Sequence, residues 1–433
     1  MTRPYRLLMG AMMCAFAVAV DANAQQLDAP GPVLHPMEVP RDVKAAVGQV
    51  LLREALESIN VTAARTQFNV AGRGLTVAVL DTGLNVAHAD FRSAIKAQRN
   101  FSSDDQGVDS IVTDRIGHGT HVTGIIIADG PRRIDPTSPP SVNVQINPAG
   151  LHEGVATEAS VVALKVMPAL SWKAVEDALQ WVLDNYKTFG LSVVNMSIQG
   201  KENLQHDNES RFDRMKSLVA ELSKHHIPVV VSSGNSFAFF DSAQGMSYPA
   251  IVRDAISVAA VYDADVTDKT KLPMRHPDWD NTEGVAVRVR QGQITPFSQR
   301  LAGTDWQTDL MAPGAEIAST GDGEFGETSM AGTSQAAPIV SGIILLMQEW
   351  YREFFIRLDA ANDEKKAAEL RAKAIESERY RPSVAQLVAW LRDGIEVTDN
   401  YGDDDNVTNT NAKFMRVDAV RALTAMRKEL TKE

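Results

Sequence analysis

Short apolar runs recur along the chain at Leu75–Leu80, Val161–Val166, Leu191–Ile198, Ile227–Val231 and Ala255–Val261. Each is largely continuous rather than alternating, the pattern of strands buried on both faces of a parallel sheet. Amphipathic segments lie between them. Trp172, Val175, Leu179, Val182 and Leu183 form a stripe that Ser171 can cap and Gly190 can stop, and Phe212, Met215, Val219 and Leu222 repeat the spacing. The β-α-β-α order predicts one large α/β domain, a single doubly wound, mainly parallel sheet with helices on both faces.

Other stretches break this rhythm. Pro131–Gly150 carries five prolines and Asp263–Gln293 is mostly polar. Residues 353–381 are strongly charged, which predicts a solvated surface helix. Residues 25–50 are Pro-rich and aperiodic at their start, as in a leader or short pro-segment. Before them, Arg3 and Arg6 precede the apolar stretch 7–20, and Ala22-Asn23-Ala24 offers small residues at −3 and −1, so residues 1–24 have the form of a secretory signal peptide. Met13 stands before Cys14, the only cysteine, where a lipoprotein signal needs a small residue. Cleavage after Ala24 would leave a main domain over 51–428 with no thiol, no disulfide and no later segment long and apolar enough to span a bilayer. The expected destination is extracellular or periplasmic.

Composition narrows the function classes. The 433 residues are 44% hydrophobic and 23% charged, and 55 acidic against 43 basic side chains give a net charge of −12. Such a surface repels phosphate backbones, which argues against nucleic-acid binding.

Three segments place a reactive side chain beside glycine. Val79-Leu80-Asp81-Thr82-Gly83 ends a strand in a carboxylate at the sheet's carboxyl edge, where ligands collect in open α/β folds. Gly117-His118-Gly119-Thr120-His121 opens an apolar helix. Gly332-Thr333-Ser334-Gln335-Ala336-Ala337-Pro338 opens another, with Ser334 at its first turn, where free N–H groups favour developing negative charge. Singly, each has a plain structural explanation: a turn-starting Asp, a core His, an N-cap Ser. Jointly, Asp, His and Ser on one scaffold are what nucleophilic acyl transfer needs. The His takes the Ser proton, and the Asp fixes the tautomer and stabilises the imidazolium. His118 and His121 also invite a metallohydrolase reading, but the Glu of a zincin helix is missing, so no metal site is expected.

In this order and spacing the three segments resemble the active-site motifs of the subtilisin family of serine proteases (subtilases), over roughly Leu56–Leu423. The resemblance implies a subtilisin-like α/β fold and a secreted serine endopeptidase acting on protein or peptide substrates, with Asp81, His118 and Ser334 as triad. Met311-Ala312-Pro313-Gly314 agrees with it. Asn235, ending Val230-Val231-Ser232-Ser233-Gly234-Asn235, is implied as oxyanion donor. Ser197, Ile198, Gln199 and Gly200 are implied as the strand that pairs with substrate backbone, and Ser232, Ser233 and Gly234 as the other wall of the pocket for the residue before the scissile bond. No cofactor is required for such chemistry.

The chain departs from that pattern at several points. Gln199 stands where the family usually has Gly, which implies a narrower or more polar pocket. Gln335 follows the nucleophile where Met is commoner. The leader is short for a folding-assisting pro-domain. The family's strong calcium site cannot be carried over through the Pro-rich insert, although 399–406 offers oxygen ligands; without EF-hand spacing this stretch is expected to be a solvated acidic turn. An alternative to the endopeptidase is a catalytically weak subtilase-like scaffold that binds peptides or acts as a chaperone.

Overall fold

The computed structural model describes residues 37–38, 52–91, 93–129, 153–168, 171–275, 283–323, 326–400 and 407–432; for 37–38, Arg53, 266–275 and 283–288 it describes the backbone alone. The expected signal peptide, the 131–150 insert and most of the leader lie outside these residues. In chain order the strands are β1 (Met37–Glu38), β2 (Thr76–Asp81), β3 (Ile95–Asn100), β4 (Ser160–Lys165), β5 (Leu191–Met196), β6 (Val229–Ser232), β7 (Ala255–Val261), β8 (Val266–Arg275), β9 (Glu283–Val289), β10 (Leu310–Pro313), β11 (Ile317–Thr320), β12 (Glu327–Ala331), β13 (Ile395–Thr398) and β14 (Lys413–Arg416). The helices are α1 (Leu52–Ser58), α2 (Val61–Phe68), α3 (His118–Ile127), α4 (Trp172–Phe189), α5 (Asp213–Lys224), α6 (Thr333–Ala360), α7 (Glu364–Lys373), α8 (Val384–Leu391) and α9 (Ala419–Thr431).

Among the described residues, nine strands form the central sheet in the order β13-β14-β10-β7-β6-β5-β2-β4-β3, all parallel to their neighbours except edge strand β13, which runs antiparallel to β14. The chain builds β3 and β4 on one side of β2, then crosses to β5 and continues outward. The strand order therefore reverses at β2, and the carboxyl ends of β2 and β5 flank the crevice where ligands bind in such sheets.

Alternation along the strands divides the apolar residues between two cores. Val77, Val79, Val161, Val193 and Val230 face α3, α6 and the terminal helices, whereas Ala78, Leu80, Val162, Val194 and Val231 face α4 and α5. This is why the runs are continuously apolar. The α4 boundaries follow the local signals: the Ser171 hydroxyl accepts the Ala174 N–H at 3.3 Å, and Gly190 ends the helix at φ 65°.

Two regions differ from the sequence pattern. The charged stretch 353–381 is not one solvated helix. It holds the end of α6, a break where Ala361 and Asn362 adopt φ 52° and 70°, then α7, which Asp363 caps by accepting the Lys366 N–H at 3.0 Å. Ile356, Ala360, Ala367, Ala374 and Tyr380 close a small buried cluster beneath it, so tertiary packing overrides the continuous helical propensity. The polar stretch 263–293 contains the antiparallel hairpin of β8 and β9. Two leader residues pair in the structure: β1 joins a three-stranded sheet with β12 and β11, opposite the strand that leads into Gly332.

Candidate active site

β2 delivers Asp81 to the carboxyl edge of the sheet, and α3 begins at His118. His118 Nδ1 lies 2.8 Å from Asp81 Oδ1, with both side chains 1% exposed. The approach depends on Gly119, where a Cβ would sit 2.2 Å from the Gly83 carbonyl and 3.1 Å from Asp81 Cβ. Asp81 Oδ1 also accepts the Thr82 N–H at 2.7 Å. A carboxylate on Nδ1 leaves Nε2 of the neutral ring to act as base.

The loop before α3 is organised by a residue the sequence reading missed. Buried Asp114 accepts the N–H groups of Ile116 (3.2 Å), Gly117 (2.8 Å) and Thr120 (2.8 Å) and the hydroxyls of Thr120 (2.7 Å) and Thr82 (2.8 Å). Thr82 in turn accepts the Gly119 N–H at 2.8 Å. Two carboxylate oxygens thus take the Thr120 N–H in the first turn and those of the two residues before the helix, and their charge favours its positive end. The available signal was an Asp two and three residues before N–H groups that need a partner, the pattern of an Asx turn.

The nucleophile's side is held by longer-range contacts. Ser334, 3% exposed, stands at the first turn of α6. Its hydroxyl donates to the Ser197 carbonyl at 3.3 Å rather than to His118, while the Ser197 hydroxyl donates to the Ser334 carbonyl at 2.8 Å. Behind this pair, Asn195 Nδ2 donates to Ser197 Oγ at 3.1 Å and the Ser341 hydroxyl donates to Asn195 Oδ1 at 2.8 Å. The network ties the end of β5 to α6 and is fully buried.

Asn235 follows β6. Its Oδ1 accepts both the N–H and the hydroxyl of Thr333 at 2.9 Å, so the amide cannot flip without losing two bonds. Nδ2 is then the free end, and Gly332 leaves room for it: a Cβ there would stand 3.2 Å from Nδ2. Gln335 is buried, its Nε2 4.0 Å from Met330 Sδ, and Met196 and Met330 are buried as well.

The chain matches the model of the subtilase family across residues 72–399. It belongs to the subtilase family. Its relatives include the major intracellular serine protease of Bacillus subtilis (strain 168), 28% identical over 292 residues that cover 66% of this chain and 72% of that protein. The intracellular serine protease of Paenibacillus polymyxa is 29% identical over 289 residues, 66% of this chain and 70% of its own. A cuticle-degrading serine protease of Arthrobotrys oligospora is 29% identical over 282 residues, 63% of this chain and 51% of its own. The subtilase described here is a subtilisin-like serine endopeptidase, a hydrolase acting on peptides.

Within this subtilase the remaining expected site residues fall in two facing segments. Ser197–Gly200 leave β5, and Ser232–Gly234 end and follow β6, its sheet neighbour. Ser232 Oγ donates to the Ile198 carbonyl at 3.2 Å, Ser233 Oγ donates to the Gln299 carbonyl at 2.7 Å and the Gly200 N–H donates to the Tyr248 carbonyl at 2.7 Å. Close to Gly200, burial pushes the Glu202 carboxyl up while Arg211, hydrogen-bonded to it, pulls the other way. His121, the second residue of the metal reading, is buried with Nε2 2.9 Å from the Ile317 carbonyl. Asp399 is not solvated: 2% exposed, it pairs with Arg300 at 2.9 and 3.1 Å, because the buried guanidinium needs a counter-ion. Residues 401–406 of that acidic turn lie outside the described residues. Among the described residues no helix is long and apolar enough to cross a membrane.

Proposed function

We propose that this subtilase hydrolyses peptide bonds through Asp81, His118 and Ser334 by way of an acyl-enzyme. The observation that supports this most is the buried 2.8 Å contact between Asp81 and His118 Nδ1, which leaves Nε2 as base. Ser334 Oγ turns from the Ser197 carbonyl to His118 when substrate arrives, since catalytic hydrogen bonds often tighten only in the complex. His118 then takes the hydroxyl proton as Oγ attacks the scissile carbonyl, and returns it to the leaving amine. Asp81 stabilises the imidazolium between those steps. Asn235 Nδ2 and the Ser334 N–H donate to the oxyanion, and water hydrolyses the ester by the same proton path. No metal or cofactor takes part in these steps.

An extended peptide lies along Ser197, Ile198, Gln199 and Gly200, with Ser232, Ser233 and Gly234 as the opposite wall. Main-chain pairing gives affinity with little sequence demand. The substrate is protein or peptide, and the net charge of −12 opposes nucleic acid. The form of residues 1–24 supports export to the periplasm or medium; N-terminal sequencing of the protein from each cell fraction tests it, and an intact Met1 in the cytoplasm would refute it. For the chemistry, a fluorophosphonate should label the parent at Ser334 and leave Ser334→Ala unlabelled and inactive. Turnover by that variant within a few-fold of the parent would sink the assignment.

A further inference from the structure

At Gln199 the chain departs from its family, and the structure gives that departure a geometry. Gln199 sits on the segment that leaves β5, and Asn235 closes the segment that follows β6. Gln199 is 3% exposed, and its Oε1 accepts the Asn235 N–H at 2.7 Å. A side chain rooted in one segment and bonded to the other spans the gap between them. The Ser232–Ile198 bond crosses the same gap beside the sheet at 3.2 Å, so the space is bridged at two levels. Glycine at 199 would leave only the lower bridge.

Nor is there slack beside the walls. A Cβ on Gly234 would lie 2.0 Å from Gln299 Oε1 and 3.0 Å from Ser247 Cβ, and one on Gly200 would lie 2.1 Å from Glu202 Oε2. Gln299 is itself fixed by Nε2 bonds to the Glu202 carbonyl at 3.0 Å and Asn203 Oδ1 at 2.8 Å. Close-packed walls of this kind do not recede by a ring's width to admit a guest.

We propose that Gln199 determines specificity by closing the pocket for the side chain before the scissile bond, so that this peptidase cleaves after Gly, Ala or Ser and not after large apolar or aromatic residues. The proposal rests on the reading of the two segments as pocket walls. A phenylalanine entering there must break the Gln199–Asn235 bond and expel the amide. That leaves the Asn235 N–H without its acceptor and disturbs the residue whose side chain faces the oxyanion. A methyl group requires neither change.

The test compares two matched peptide p-nitroanilides, with Ala or Phe before the leaving group, on the parent, Gln199→Gly and Gln199→Ala. The parent should favour Ala by about tenfold or more in kcat/KM, and the variants should shift the Phe-to-Ala ratio by about 10²-fold, the scale on which pocket volume discriminates. Using the ratio separates pocket size from any general loss through Asn235, which would lower both substrates alike. Melting temperatures establish that the variants are folded, and Gln199→Ala decides if the glycine variant is not. A parent that cleaves the Phe substrate as well as the Ala substrate would overturn the proposal, as would an unchanged ratio in both folded variants. Absence of fluorophosphonate labelling at Ser334 would instead refute the catalytic reading beneath it, and both would fall.

Discussion

Asp81 and His118 stand 37 residues apart and are held by the loop that wraps around Asp114, whereas Ser334 meets Ser197 across 137 residues and Thr333 meets Asn235 across 98. In the first half the imidazole of His118 is locked on the Asp81 carboxylate. In the second half the backbone and Asn235 are locked, but the Ser334 hydroxyl rests on a backbone carbonyl. Under the proposed mechanism the half that tunes a base is rigid, and the half that must attack keeps one rotatable bond in reserve. Preorganised dipoles cost no reorganisation during reaction, so fixing Asn235 while freeing one hydroxyl places flexibility where the least is lost.

That contrast can be broken one arm at a time. The largest effect is expected from Asp81→Asn, which keeps the shape but offers Nδ1 a donor and so favours the wrong tautomer; kcat should fall about 10⁴-fold at unchanged melting temperature. A fall below tenfold would mean that Asp81 does not orient His118. Asn235→Ala should lower kcat by about 10²–10³ with little change in KM, a magnitude known for oxyanion donors of this family rather than derived from this chain. A rise in KM at constant kcat would make Asn235 a binding residue instead.

Asp114→Ala probes the loop that builds the rigid half. Five donors would lose their acceptor, so we expect a loss of about 3 kcal/mol or more in stability and, in the fraction still folded, about 10²-fold in kcat from displacement of His118. Active-site titration would separate the two losses. Full specific activity per titrated site would show that Asp114 serves stability alone.

The smallest effect on turnover is expected away from both halves, at Asp263. Burial pushes its carboxyl up from 3.8 to about 7, opposed by its own backbone hydrogen bond and reinforced by Glu54. The folded protein therefore holds a proton that the unfolded chain has released across roughly pH 4–7, so this group's contribution lowers stability as pH rises through that window. Asp263→Asn should raise the melting temperature by a few degrees at pH 8, have little effect at pH 4, and leave kcat unchanged. Equal melting temperatures for parent and variant at both pH values would refute this.

Much of the fold was legible because its causes are local. Continuous apolar runs mark strands covered on both faces, and the α4 boundaries follow from a Ser cap and a Gly stop. Asp81, His118 and Ser334 stand at element ends, as the sequence pattern expects, whereas Asn235 lies beyond Ser232, where β6 stops. Along 353–381 charge and helical propensity, summed along the chain, predict one helix, while the break at Ala361 accompanies a small buried cluster that only packing creates. The sequence pattern puts Asp399 in a solvated turn for the same reason: its partner Arg300 lies 99 residues away.

By itself, then, the sequence determined which side chains are chemically able to act and which ends of which elements present them, since strand period, helix caps and glycine positions are properties of neighbours. Tertiary structure alone decided which polar groups meet. Asp114 could have faced water, the Ser334 hydroxyl could have lain on His118, and Gln199 could have pointed away from Asn235; no neighbour in sequence forbids any of these. They were settled by the requirement that buried donors find acceptors, and that requirement can be evaluated only once distant segments share one interior.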